Sequence, residues 1–374
     1  MNKKLVAVAV AGLLAAPMAA QAQTANVTLY GRLNLDLEYI DASGGRPNVT
    51  RLSTNSSRLG VRGTESLGRG LTAIFQIESS INGDRGGGDL AGRDTFLGLQ
   101  GSWGTVKFGH FLAPYDDMTG IFGNVPTFNT SILAQAALWA NNGGQAKGTG
   151  AFDARLPNSL RYDTPNISGF TGSVQISLCN TGATGCALGA AEDGHTDAYV
   201  FSAAGIYNNG PFQGGIAFEK NKDVRANGLD DWAFTATAAW NFGIARVGGL
   251  YERLDYDTPA GSLKRNLWGV NVTAPIGPGT LYAAYIRAQD GKGGGSRVGG
   301  FTSGSDTGAD HWSISWTYPL SKRTITYVGY SGIDNDRLAG YNYNINAYNV
   351  GSSTTPLGTG FRLNGFLVGA VHLF

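Results

Sequence analysis

The stretch His311-Trp312-Ser313-Ile314-Ser315-Trp316-Thr317-Tyr318 decides the fold. Trp312, Ile314, Trp316 and Tyr318 alternate with His311, Ser313, Ser315 and Thr317, and a period of two places the two sets on opposite faces of a β-strand. The pattern recurs. Trp232, Phe234, Ala236, Ala238, Trp240 and Phe242 interleave with Ala233, Thr235, Thr237, Ala239 and Asn241. Phe170, Gly172, Val174, Ile176 and Leu178 interleave with Thr171, Ser173, Gln175 and Ser177. The apolar face carries Trp and Tyr at its ends, and the polar face is small and mostly uncharged. An apolar exterior around a wet interior accounts for both faces. A closed sheet also pairs every backbone N–H and C=O without an edge, which hydrocarbon requires.

The first residues follow a different rule. Lys3 and Lys4 precede an apolar run from Leu5 to Ala20, and Ala20-Gln21-Ala22 forms a small-residue cleavage site. Residues 1–22 are therefore expected to be a secretory signal. No later run reaches the roughly 18 apolar residues of a membrane helix. Without Lys3 and Lys4 the 28 basic residues fall to 26, against 27 acidic ones. That balance excludes a global basic field for nucleic acid, so any charge preference must come from local placement. Cys179 and Cys186 bracket a Gly/Thr-rich loop, and in an exported chain they are expected to form a loop disulfide. A metal pair is disfavoured by their spacing, and no metal or cofactor is expected.

Connections between the strand-like segments come in two kinds. Seven are short, at 65–69, 101–104, 164–168, 208–211, 241–243, 275–279 and 320–322. Eight are long, polar and Gly-rich, at 42–50, 83–91, 112–155, 179–195, 222–228, 257–263, 290–308 and 336–360. Together they join sixteen strands. Short turns at one end and long loops at the other characterise a transmembrane β-barrel. Pro165, Pro211, Pro275, Pro278 and Pro319 sit in or beside turns, where they remove no ladder hydrogen bond. About eight strands would leave a barrel filled by side chains, whereas sixteen enclose water.

An ordered set of motifs points further. Leu29-Tyr30-Gly31-Arg32 opens the first strand, and Ser57-Arg58-Leu59-Gly60-Val61-Arg62-Gly63-Thr64-Glu65 leads to Ala73-Ile74-Phe75-Gln76-Ile77-Glu78. Arg93-Asp94-Thr95-Phe96-Leu97-Gly98-Leu99, Gly104-Thr105-Val106-Lys107-Phe108-Gly109 and Asn158-Ser159-Leu160-Arg161-Tyr162-Asp163 follow, and Phe374 stands last with His372 two residues before it. Over essentially the whole mature chain this resembles the trimeric general diffusion porins of Gram-negative outer membranes, nearest to their β-proteobacterial branch. The resemblance implies an all-β, 16-stranded antiparallel barrel with a long third loop, 112–155, folded inward. It also implies a homotrimer set in outer-membrane lipid and lipopolysaccharide, passing small hydrophilic solutes and inorganic ions. Phe374 and His372 match the family's assembly signal.

Selectivity in such a pore comes from width and from charges at its narrowest point. By resemblance the basic wall positions are Arg32, Arg58, Arg93 and Arg155. Strand phase supports the first two. Val27, Leu29, Leu33, Leu35 and Leu37 share one face and leave Tyr30, Arg32, Asn34, Asp36 and Glu38 on the other, while Leu59 and Val61 outward turn Arg58 and Arg62 inward. A lipid-facing Arg at mid-depth costs about 2–4 kcal/mol, which decides the phase. Arg93 is luminal if Phe96 and Gly98 face lipid. Arg62 and Lys107 are further basic members. Asp116, Asp117 and Asp153 are the loop acids. Ile121 stands where enterobacterial relatives carry Glu, and His110 where closer ones often carry Arg. A weak to moderate anion preference is expected, tempered by Asp36 and Glu38.

Two other function classes come into question. A porin specific for a sugar, phosphate or dicarboxylate could use Trp139, Phe122 and Phe128 as an aromatic slide, although packing of the loop explains them as well. A barrel enzyme would need a nucleophile with a positioned base. His110, His195, His311 and His372 show no such arrangement in sequence.

Overall fold

The computed structural model describes residues 26–123, 132–141, 151–178, 198–295, 297–343, 346–349 and 358–374. The expected signal segment, the Cys179–Cys186 pair, His195 and Phe128 lie outside them. The described chain is one closed antiparallel sheet. Eighteen ladder segments compose it, but Val49–Thr54 and Arg58–Gly68 pair with the two ends of the same neighbour, Asn26–Ala42, and count as one wall strand. Lys292–Gly293 pairs only with the start of Leu263–Ile276 and extends a loop. Sixteen wall strands remain. Each pairs with the next in sequence, and Arg362–Leu373 closes the ring on Asn26–Ala42 from Arg32↔Leu373 to Ala42↔Leu363.

Seven turns and eight loops join these strands, in the places the sequence suggests. The first turn is displaced. The strand expected to end near Glu65 pairs on through Gly68, and the chain reverses at Arg69 and Gly70, both at positive φ. Backbone pairing continues past the apolar band regardless of side-chain polarity, which is why the polar run at Thr64–Ser66 is a poor marker of the turn.

The alternation sorts lipid from lumen. Val27, Leu29, Leu33 and Leu37 are exposed, and Arg32, Asn34, Asp36 and Glu38 between them are buried. Phe170, Val174, Ile176 and Leu178 are exposed while Ser173, Gln175 and Ser177 are buried. One expected phase is reversed. Leu97 and Leu99 face outward, and Phe96 turns inward to meet Phe111 edge-on at 6.0 Å, with Lys107 above both rings. An aromatic pair capped by an ammonium tolerates the lumen, whereas the larger aliphatic faces gain by meeting lipid. Arg93 is nonetheless interior, because it precedes the strand Thr95–Gly101 and escapes its alternation.

The closing seam depends on a missing side chain. Gly31 N–H donates to the Phe374 carbonyl at 2.8 Å, and Phe374 N–H returns a bond to the Gly31 carbonyl at 3.1 Å. A Cβ on Gly31 would stand 2.2 Å from the Phe374 ring, so this close approach requires glycine. His372 Nδ1 lies 2.9 Å from Thr324 Oγ1, and its ring stacks on Phe374 at 6.4 Å.

Candidate functional site: a charged lumen divided by an inward loop

The strands from Asn26–Ala42 to Arg155–Asp163 carry the basic side chains. Arg32 and Arg58 face each other across the first strand pair, and Arg93 lies close enough to act on the charge of both. Among them stands one carboxylate, Glu78. Its Oε1 meets Arg93 Nε at 2.6 Å, its Oε2 lies 3.5 Å from Arg58 Nε, and the Tyr30 hydroxyl donates to Oε2 at 2.9 Å. Gly60 makes this possible, because a Cβ there would sit 2.4 Å from the Tyr30 ring and push the phenol away. Arg62 lies over the outer part of the same ring at 4.9 Å.

Arg155 and Lys107 have carboxylates beside them. Arg155 Nε reaches Asp94 Oδ1 at 2.7 Å, and Lys107 Nζ reaches Asp163 Oδ2 at 2.9 Å. Glu38 is taken by Arg51 at 2.7 Å. Asp36 accepts from the Tyr327 hydroxyl at 3.1 Å. Arg58 and Arg93 thus share the carboxylate of Glu78, whereas Arg155 holds one of its own.

Within the segment 112–155, the described residues 112–123 and 132–141 lie against the interior of the remaining wall. Tyr115 N–H donates to Ser202 Oγ at 3.1 Å, and its hydroxyl to Glu252 Oε1 at 2.9 Å. Arg246 donates to the Ile121 carbonyl at 2.5 Å, and Asn271 Nδ2 to the Phe122 carbonyl. Gln135 Nε2 donates to Ser313 Oγ at 3.0 Å, His311 Nε2 lies 3.2 Å from the Ile132 carbonyl, and Ser331 Oγ donates to that same carbonyl. Ala140 N–H returns to Glu252 Oε1 at 2.8 Å, so one carboxylate fastens both arms of the loop. Arg265, fully buried, supports it at 3.4 Å and donates to the Leu138 carbonyl at 3.0 Å. Trp139 stacks on Tyr115 at 5.5 Å and, like Phe122, is buried in this packing, which leaves neither ring displayed as a slide.

Asp117 binds Arg161 Nη2 at 2.6 Å, and Arg161 also holds Asp163 at 2.7 Å. Burial pushes the Asp117 carboxyl above its ordinary pKa, and the Arg161 guanidinium opposes that rise. Asp116 is half-buried and Asp153 buried, and both act on the charge of buried Glu219, on the side of the lumen away from Arg58.

Nine charged residues of this site escape the sequence reading: Arg51, Glu78, Asp94, Arg161, Asp163, Glu219, Arg246, Glu252 and Arg265. Two carried a usable signal. Glu78 alternates with outward Phe75 and Ile77, and Arg161 with outward Leu160. Their pairings carried none, since the partners come from other strands. Among the described residues no group of His, Cys, Asp and Glu is arranged to hold a metal ion.

Comparison with known proteins agrees with this architecture. Residues 7–338 match the Gram-negative porin family. The chain is 30% identical to outer membrane porin protein 32 of Delftia acidovorans, over 87% of this chain and 88% of that protein. It is 27% identical to the major outer membrane protein P.IA of Neisseria meningitidis, over 94% and 99% respectively. Among solved structures, the anion-selective porin from Comamonas acidovorans superposes with a TM-score of 0.73 at 25% identity, covering 94% of this chain and 100% of that one. The trimer form of OmpT of Vibrio cholerae shares the fold, with a TM-score of 0.64 at 15% identity. Porins are channels rather than enzymes. With its ring of sixteen strands, its lipid-facing apolar set and its charged lumen, the chain belongs to the Gram-negative porin family and resides in the outer membrane.

Proposed function

We propose that the barrel is a water-filled channel for passive diffusion of small hydrophilic solutes and ions, with a weak to moderate preference for anions. The observation that carries this reading is the Arg32–Arg58–Arg93 group, gathered about the carboxylate of Glu78. Three like charges so close repel one another, and water in a lumen is the medium that makes their company tolerable. A charged wall in a narrow, low-dielectric channel raises the local concentration of counter-ions. Glu78 moderates the effect, and the remaining ion pairs leave little net field, which supports a modest preference over strict selectivity. The anion selectivity of the Comamonas relative points the same way.

Export by residues 1–22, removal of that segment, assembly into a homotrimer, and recognition of Phe374 during insertion complete the proposal. The solved trimer of OmpT supports the threefold assembly. A planar-bilayer titration separates a diffusion pore from a solute-specific one. Single-channel conductance is expected to rise nearly in proportion to potassium chloride and potassium phosphate concentration. A conductance that saturates, or a current that a sugar, phosphate or dicarboxylate blocks at low concentration, would show a binding site in the path and replace this reading.

A further inference from the structure

The first arm of the inward loop crosses the inner wall strand by strand. Tyr115 N–H is held by Ser202 on Tyr199–Asn209, the Ile121 carbonyl by Arg246 on Arg246–Tyr256, and the Phe122 carbonyl by Asn271 on Leu263–Ile276. Between these polar fixings the arm meets the wall through apolar side chains, and there the wall offers none of its own. Met118 and Ile121 stand over Gly215, on Phe212–Lys222. A Cβ at that glycine would lie 2.9 Å from Met118 Sδ and 3.0 Å from Ile121 Cδ1. Phe122 stands over Gly269, where a Cβ would lie 3.1 Å from its ring. Both glycines belong to the inward phase, Gly215 beside outward Ile216 and Gly269 between outward Trp268 and Val270. The second arm repeats the arrangement: a Cβ on Gly329 would lie 3.0 Å from Leu133, and one on Gly365 3.0 Å from Ile132.

What gives Gly215 its consequence is the opposite side of the first arm. Met118, Ile121 and Phe122 are at most 5% exposed. Gly120, in the same helical turn, is exposed, and a Cβ on it would meet nothing within 4 Å. A single turn of chain therefore separates the wall from open lumen. Non-bonded carbons rest at about 3.5–4.0 Å, so a methyl on Gly215 is too close to the arm by roughly 0.5–1 Å. The enclosed ends of Met118 and Ile121 pass that displacement to the backbone, and the side open to it is the water.

We propose that Gly215, with Gly269 beside it, fixes the bore of the channel. The missing side chain lets the arm sit back against the wall, and a side chain placed there is a spacer that moves the arm into the path of solutes. The inference rests on the reading that the barrel conducts. Gly215 is a positioning residue, acting through Met118 and Ile121 rather than by touching a solute. The spacer changes no charge, so it sorts uncharged hydrophilic solutes by bulk.

The test compares wild type with Gly215→Ala, Gly215→Val and the pair Gly215→Ala with Met118→Ala, which removes the sulfur that the new Cβ meets. Gly205→Ala is the control, because Gly205 faces lipid and a Cβ there meets nothing within 4 Å. The heat-modifiable band on gels reports folding, and if Gly215→Val does not fold, the Ala variants decide the question. Single-channel conductance is expected to fall by about 10–30% in Gly215→Ala and further in Gly215→Val. The disaccharide-to-monosaccharide ratio of liposome swelling rates should fall with it. Met118→Ala should return at least about half of the loss in Gly215→Ala, since contacting residues do not act additively. Wild-type conductance and ratio in the folded Gly215 variants would overturn the seat and leave the channel intact. An equal loss in Gly205→Ala, or no recovery with Met118→Ala, would overturn it as well. A wild type that passes neither ions nor sugars would remove the channel reading and the seat with it.

Discussion

Replacing Arg58 by Glu is expected to move the reversal potential of the channel toward cations by roughly 20–40 mV in a tenfold potassium chloride gradient. Arg58 opposes Arg32 in the strand register and lies 3.5 Å from Glu78. The substitution exchanges a positive charge for a negative one beside an existing carboxylate, so the local sign of the wall reverses. Through water a unit charge contributes about 0.4 kcal/mol at about 10 Å. A swing of two charges then alters the local cation-to-anion ratio roughly tenfold, before salt screening reduces it. Arg155→Gln is the informative comparison. It removes a positive charge already offset by Asp94 at 2.7 Å, so a much smaller shift is expected. Equal shifts from the two variants would mean that net lumen charge, not the Arg32–Arg58–Arg93 group, sets the preference.

The second large effect concerns the anchor of the inward loop. Glu252→Ala is expected to destabilise the protein by about 3–5 kcal/mol, because it leaves the Arg265 guanidinium buried without its carboxylate. It also strips the acceptor from the Tyr115 hydroxyl and from Ala140 N–H, so both arms of the loop lose one fixed point. A lowered denaturation midpoint in lipid vesicles should therefore accompany noisy, flickering single-channel currents. Glu252→Gln keeps an acceptor for both donors and is expected to retain steadier currents than Ala. The partly exposed Lys264–Asp255 pair, at 3.6 Å, serves as the control, and Asp255→Asn should cost under about 1 kcal/mol. Comparable losses from Glu252→Ala and Asp255→Asn would contradict the anchoring role.

Much of the barrel is readable in one dimension because its two solvents impose a period of two. Val27, Leu29, Leu33 and Leu37 must meet lipid, and that alone sends Arg32 and Asp36 into the lumen. The same logic failed at Phe96, where an inward aromatic finds Phe111 and Lys107. It could not apply to Arg93, which lies before its strand. Ion pairs were illegible for another reason. Glu78 reaches Arg58 and Arg93 through the register of separate strands, and register is a property of the closed sheet rather than of any segment. The contacts that Tyr341 and Asn346 make with the wall were the least visible part, because Arg265 and Arg51 reach them across 76 and 295 residues of sequence.

The arginine group is expected to give the lumen a net anion preference. The reversal potential of the purified wild-type protein in a planar bilayer under a potassium chloride gradient tests it most directly. A potential on the chloride side, well short of ideal selectivity, is the predicted result. A potential on the potassium side would mean that Asp36, Glu219 and the loop carboxylates outweigh Arg32, Arg58 and Arg93, and would contradict the account.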